Sequence, residues 1–126
     1  KAGGVLADPG FLRVATLDGK DLLVRDDGAF VVPPGDAPVT LRVPVEVPAD
    51  RETALRAGSS IGFTVRVDGA VVCSGRGRAP AAPDREAALF RIRGAERRLE
   101  VELAASPLLE RVVFLRLARP DGLPLR

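Results

Sequence analysis

The stretch that decides the fold is SIGFTVRVDGAVVCSG, residues 60–75. Ile61, Phe63, Val65 and Val67 alternate with Gly62, Thr64 and Arg66, the period-two pattern of a strand with one buried face. Asp68-Gly69 then supplies two residues tolerant of positive φ, as a type I′ hairpin turn requires. The returning strand is AVVCS. Cys73 reads there as a small buried hydrophobe on the same face as Val71.

The same pattern extends outward from this hairpin. VTLRVPVEV (39–47) places Val39, Leu41, Val43, Val45 and Val47 on one face and Thr40, Arg42, Pro44 and Glu46 on the other. Pro44 cannot donate to a ladder, so an edge strand or a bulge is expected there. FLRVATL (11–17) and DLLVR (21–25) flank a turn at Asp18-Gly19-Lys20, and Asp26-Asp27-Gly28 turns the chain into AFVV (29–32). PPGDAP (33–38) is a loop. On the far side, REAALFRI and RRLEVEL alternate around Gly94-Ala95-Glu96, with Leu99, Val101 and Leu103 inward. RVVFLRLA (111–118) is the closing strand.

Two segments are less regular. Residues 48–60 fit either a short helix capped by Asp50 and ending near Gly58, or a strand from Glu52 to Arg56. Ser106-Pro107 suggests the cap and first position of a brief helical turn. No stretch is periodic for long enough to form a substantial helix. About eight short antiparallel strands with frequent turns predict one all-β domain over residues 1–126, a jelly-roll-like β-sandwich with at most one or two helical turns.

Composition narrows the chemistry. With 126 residues the chain is long enough for one core, and 46% apolar with 29% charged residues is ordinary for a globular domain. No apolar run is long enough for a membrane span. The first residues, KAGG, carry no Met and suggest a processed or excised piece. The net charge is only +2 and acids are interspersed with the arginines, so no nucleic-acid partner is expected.

His, Met, Trp, Tyr, Asn and Gln are all missing. Loss of Asn, Gln and Met fits a thermophile-like composition, and a restricted design alphabet would look similar. Without His or Tyr, the commonest acid-base groups and any Ser-His-Asp arrangement are excluded. With one Cys, the usual zinc sites and an internal disulfide are excluded as well. A two-carboxylate hydrolase is formally open, but the acids fall mostly at turns and outward strand positions. No enzyme activity, cofactor or metal is therefore expected. Calcium between DDG (26–28) and PGD (34–36) is the metal alternative, set against the ordinary use of Asp in turns when Asn is absent. A reactive Cys73, its thiolate stabilised by Arg76 and Arg78, is the alternative to the buried one.

The segment GRGRAPAAPD (75–84) reads as a flexible loop, and with Arg85 it is the best candidate for ligand contact. It carries Arg76, Arg78, Asp84 and Arg85 between Gly and Pro, on a connection borne by a sheet. Guanidinium groups grip carboxylate or phosphate with a planar fork.

Three phrases resemble the carbohydrate-binding modules termed NPCBM and related galactose-binding-like jelly rolls. They are FTVRVDGAVVCSG (63–75), FRIRGAERRLEVEL (90–103) and VVFLRLARP (112–120), in that order, within the second half of the chain. The family's Trp and Asp-rich segment before the last strand is replaced here by SPLLERVVF. The resemblance implies a sandwich serving as a non-catalytic accessory module of a larger envelope or secreted protein, extracytoplasmic, with a carbohydrate-type ligand. The alternative is a structural or assembly module, such as an immunoglobulin-like spacer or a capsid or surface-layer component. Such a module acts through contacts with another protein domain, and VTLRVPVEV is then the edge of interest.

Overall fold

Alternating apolar side chains bury one face of each strand, and two sheets close over the faces so formed. The computed structural model describes residues 12–22, 24–47, 50–93 and 97–121. Ten strands run in order: β1 (Thr16–Leu17), β2 (Lys20–Asp21), β3 (Phe30–Val32), β4 (Val39–Pro44), β5 (Thr53–Ser59), β6 (Phe63–Val67), β7 (Ala70–Gly75), β8 (Glu86–Phe90), β9 (Arg98–Leu103) and β10 (Arg111–Ala118). One sheet has the order β2-β1-β4-β9-β6-β7 and the other β3-β10-β5-β8. Among the described residues the fold is an all-β sandwich of ten strands rather than eight, with the small β1–β2 hairpin as the addition.

The eight strands β3 to β10 pair in a nested way. β6 pairs with β7, β5 with β8, β4 with β9 and β3 with β10, all antiparallel. The β10–β5 and β9–β6 pairs join the nested hairpins into the two sheets. A long hairpin wound round itself in this manner is the jelly-roll arrangement. One continuous core results, with Phe30, Leu41, Leu55, Val65, Leu99, Val101 and Leu115 fully enclosed.

The alternation expected for β4, β6 and β9 is present residue by residue. Asp68 and Gly69 have φ of 52° and 81°, so both central turn positions are left-handed as a type I′ turn demands. Asp18-Gly19 forms the same turn between β1 and β2. Among the described residues Asp18, Asp50, Asp68 and Asp84 supply the positive-φ positions outside glycine, the role Asn usually shares and cannot fill in this chain.

Several expectations are corrected. Residues 53–59 form the strand β5; the helix alternative fails because Thr53, Leu55 and Ala57 line the core while Arg56 faces outward toward Arg116. Ser106 caps no helix. It exchanges backbone hydrogen bonds with Gly35, and its Oγ donates to the Leu109 carbonyl, closing a bend. No helix occurs among the described residues, and none is long and apolar enough to cross a membrane. Val71 does not share a face with Cys73. A bulge between the Val65–Cys73 and Arg66–Val71 pairs admits Val72 as an extra residue, so Val71 turns to solvent while Val72 and Cys73 face inward. Pro44 lies in a strand flanked on both sides, but β1 pairs with β4 only at Arg42, so the Pro44 edge has no second ladder to serve. The turn expected at 94–96 lies outside the described residues, as do Phe11, Leu23, Pro48 and Ala49.

Candidate functional site

Strand directions gather four loops at one end of the sandwich. β3, β5, β7 and β9 end there and β4, β6, β8 and β10 begin there, so residues 33–38, 60–62, 76–85 and 104–110 are neighbours. Hydrogen bonds stitch these loops together. Ala104 N–H donates to Gly62 O (2.9 Å), Arg78 N–H to Ser59 O (2.8 Å) and Val112 N–H to the Ser60 hydroxyl (2.9 Å).

Arg111 is the anchor of this end. It sits on the inward face of β10 and is 2% exposed. One guanidinium nitrogen, Nη1, donates to the carbonyls of Ala37 (2.9 Å) and Ala104 (3.2 Å), tying two loops to one strand. Nη2 runs so close under Gly35 that a Cβ there would lie 2.6 Å away. The Nε–H of this buried side chain has no acceptor. Composition and alternation do not single Arg111 out, because an arginine at the start of a strand ordinarily faces water.

The 76–85 loop folds back over the outer face of the β3-β10-β5-β8 sheet. Its sequence suggests flexibility, yet it is held at both ends. Asp84 meets Arg116 of β10 in a two-pronged ion pair, with Nε to Oδ1 at 3.1 Å and the second contact between Nη2 and Oδ2. Ala82 passes directly over Gly58 of β5, where a Cβ would fall 1.6 Å from the Ala82 carbonyl oxygen. Arg85 Nη1 donates to the Arg78 carbonyl (2.8 Å), bracing the loop internally.

Two adjoining hollows open beside this loop and share Phe63 and Arg76. The larger, about 720 Å³, lies on the outer face of the six-stranded sheet, where Thr64, Ser74 and Glu102 occupy matched outward positions. The smaller, about 460 Å³, is lined by Ser59, Arg78, Arg85 and Glu86 over a glycine floor. Arg66 donates to Glu102 at 3.2 Å from the neighbouring outward position. Phe63 is 4% exposed, so its ring belongs to the core and offers no stacking platform.

Of the four residues read as ligand contacts, the structure brings three together. Arg76, Arg78 and Arg85 surround the smaller hollow, and among the described residues no carboxylate stands within ion-pair distance of them. Asp84 is the one not brought in. Its positive φ of 65° and its pairing with Arg116 turn it onto the sheet, away from the hollow. Alternation alone does not single out Thr64, Ser74 and Glu102, each an ordinary outward residue until pairing sets them side by side, nor Ser59 and Glu86, which stand on the inward faces of β5 and β8 where the sandwich opens.

Cys73 is buried, 8% exposed, and burial pushes its thiol up, with the Glu86 carboxylate adding in the same direction. Arg76 and Arg78 therefore do not activate it. The two Asp-rich turns do not meet. Asp26 and Asp27 precede β3 while Asp36 follows it, and Asp27 is taken by Arg25, whose hydrogen bonds hold that carboxyl below its ordinary range. Among the described residues no group of three or more carboxylate or thiol side chains is placed to hold a metal ion.

Comparison with protein-family models, with curated proteins and with solved structures gives no match.

Proposed function

We propose that the chain is a non-catalytic binding module of a larger secreted or envelope protein, which takes a carbohydrate-type ligand in the two-lobed cleft at the loop end of the sandwich. The carrying observation is the cleft itself. Three arginines without carboxylate partners among the described residues and the hydroxyls of Thr64 and Ser74 line two adjoining hollows, beside loops held by a rigid double sheet. The resemblance of the phrases at 63–75, 90–103 and 112–120 to galactose-binding-like jelly rolls supports the module's architecture.

A glycan array followed by calorimetric titration tests this reading. Saturable binding that weakens on Arg78→Ser supports it, and the absence of binding to any glycan removes it. The cleft's two carboxylates, Glu86 and Glu102, lie in different lobes, and Glu102 is engaged by Arg66. Turnover of a glycoside that vanished on Glu86→Gln or Glu102→Gln would replace the module with an enzyme.

One observation favours a second reading, assembly through protein contacts. Leu108 and Leu109, 87% and 69% exposed, form an apolar tip on the 104–110 loop beside the cleft. A discrete oligomer by light scattering, dispersed by Leu108→Ser, together with no glycan binding, would favour assembly over ligand capture.

A further inference from the structure

We infer that the saccharide held in this cleft is an acidic one, a uronate or a sulfated sugar. Its anionic group sits among Arg76, Arg78 and Arg85, and its neutral neighbour lies along Thr64 and Ser74. The inference rests on the binding-module reading above and names its ligand class.

Charge matching carries the first step. On the open faces of the sheets most arginines meet an acid: Arg42 and Arg98 face Glu100, Arg66 faces Glu102, and Arg116 holds Asp84, with Arg56 beside Arg116 the exception. At the smaller hollow three guanidinium groups share one acid, Glu86, which pairs with none of them within ion-pair distance. A concave site with such an excess attracts an anion and repels a cation. Each guanidinium fork fits two oxygens of a carboxylate or sulfate group.

The second step concerns what else the ligand carries. Because Phe63 is enclosed, the cleft has no aromatic face on which to stack a neutral pyranose. Grip must come from charge and hydrogen bonds. The larger lobe presents Thr64 and Ser74 side by side across the β6–β7 pair, with the Glu102 carboxylate opposite Thr64 across β9. That set of donors and acceptors suits sugar hydroxyls, and apart from Arg76 the lobe's lining offers no cation for a second anion. Arg76, common to both lobes, marks the junction between the two sugar units.

The test is calorimetric titration of the intact chain with four probes: an oligouronate, a sulfated oligosaccharide, a size-matched neutral oligosaccharide, and inorganic tripolyphosphate. Binding of the uronate, the sulfated probe or both, weakening as salt is raised, is expected. So is an affinity loss of about ten-fold or more in Arg76→Ser/Arg78→Ser, consistent with charge-assisted bonds. Arg42→Ser on the open sheet face should leave affinity unchanged, and circular dichroism should show both variants folded. Preference between uronate and sulfate identifies which anion the arginines take. Neutral binding equal to acidic binding, acidic binding indifferent to the arginine pair, or tripolyphosphate binding as tight as the saccharides would overturn the acidic-sugar inference while leaving a binding module in place. No binding of any saccharide would remove the module reading as well.

Discussion

Arg111 brings a guanidinium into the interior with carbonyl oxygens alone for company, and among the described residues it meets no carboxylate. A buried cation so placed loses hydration and regains only part of it through two hydrogen bonds. Its value lies in geometry, since it joins the 33–38 and 104–110 loops. Arg111→Ala removes both bonds and leaves a void, and should destabilise by about 2–4 kcal/mol. Arg111→Met keeps the volume and removes the desolvated charge, so it should be clearly milder in the same urea titration. Equal losses in the two variants would mean that the hydrogen bonds, and not the filled space, set the cost.

Cys73 makes the complementary case, a neutral group that must stay neutral. Burial raises its folded-state value above that of the unfolded thiol, about 8.5. Its contribution is therefore fully present below that unfolded value and is lost as pH rises through the folded one. Stability measured from pH 7 to 10 should fall above about 8.5, and Cys73→Ala should flatten that fall while lowering the neutral-pH plateau. A slope unchanged in the variant would assign the alkaline loss elsewhere. Thiol reagents should likewise react slowly with the folded chain and rapidly once it is denatured.

At the scale of the element, what could be read beforehand depends on how one-sided each segment is. β4, β6 and β9 have a strictly apolar inward face against polar outward neighbours, so their limits and orientation follow from alternation alone. β5 is harder because Ala, Gly and Ser serve both faces; only its pairing with β10 and β8 settles it. The bulge at Val72 leaves no trace in a run of consecutive apolar residues. The candidate loop was legible as arginine-rich and exposed, but not its docking, because the partners Arg116 and Gly58 are distant in sequence. That docking makes Gly58 a sensitive position. Gly58→Ala places a methyl into the Ala82 backbone and should either cost about 1–3 kcal/mol by overpacking or undock the loop. Hydrogen exchange at Arg78, whose N–H is held by Ser59, separates the two outcomes. A variant as stable and as protected as the parent would show that the loop does not lie there.

For the molecule as a whole, the all-β class and the jelly-roll arrangement were within reach, because a regular succession of short alternating strands has few other ways to bury one face of each. The two-sheet order was not, since any strand can pair with several others until the ends meet. The nested pairing also ranks the strands by the length of chain each pair must close. Of the nested pairs β6 and β7 alone are joined by two residues, while β3 and β10 lie at the outermost level. Closure entropy grows with that separation, and distant pairings slow a chain's search. The innermost hairpin is thus the natural nucleus, and assembly proceeds from it toward the rim. Replacing Asp68-Gly69 with Ala-Ala should slow refolding in a stopped-flow chevron, whereas Val32→Ala at the rim should chiefly hasten unfolding. The opposite pattern would place the nucleus at the rim. On this ordering the end with the two hollows, where all four nested levels deliver a loop, takes its final shape only when the last pair has zipped.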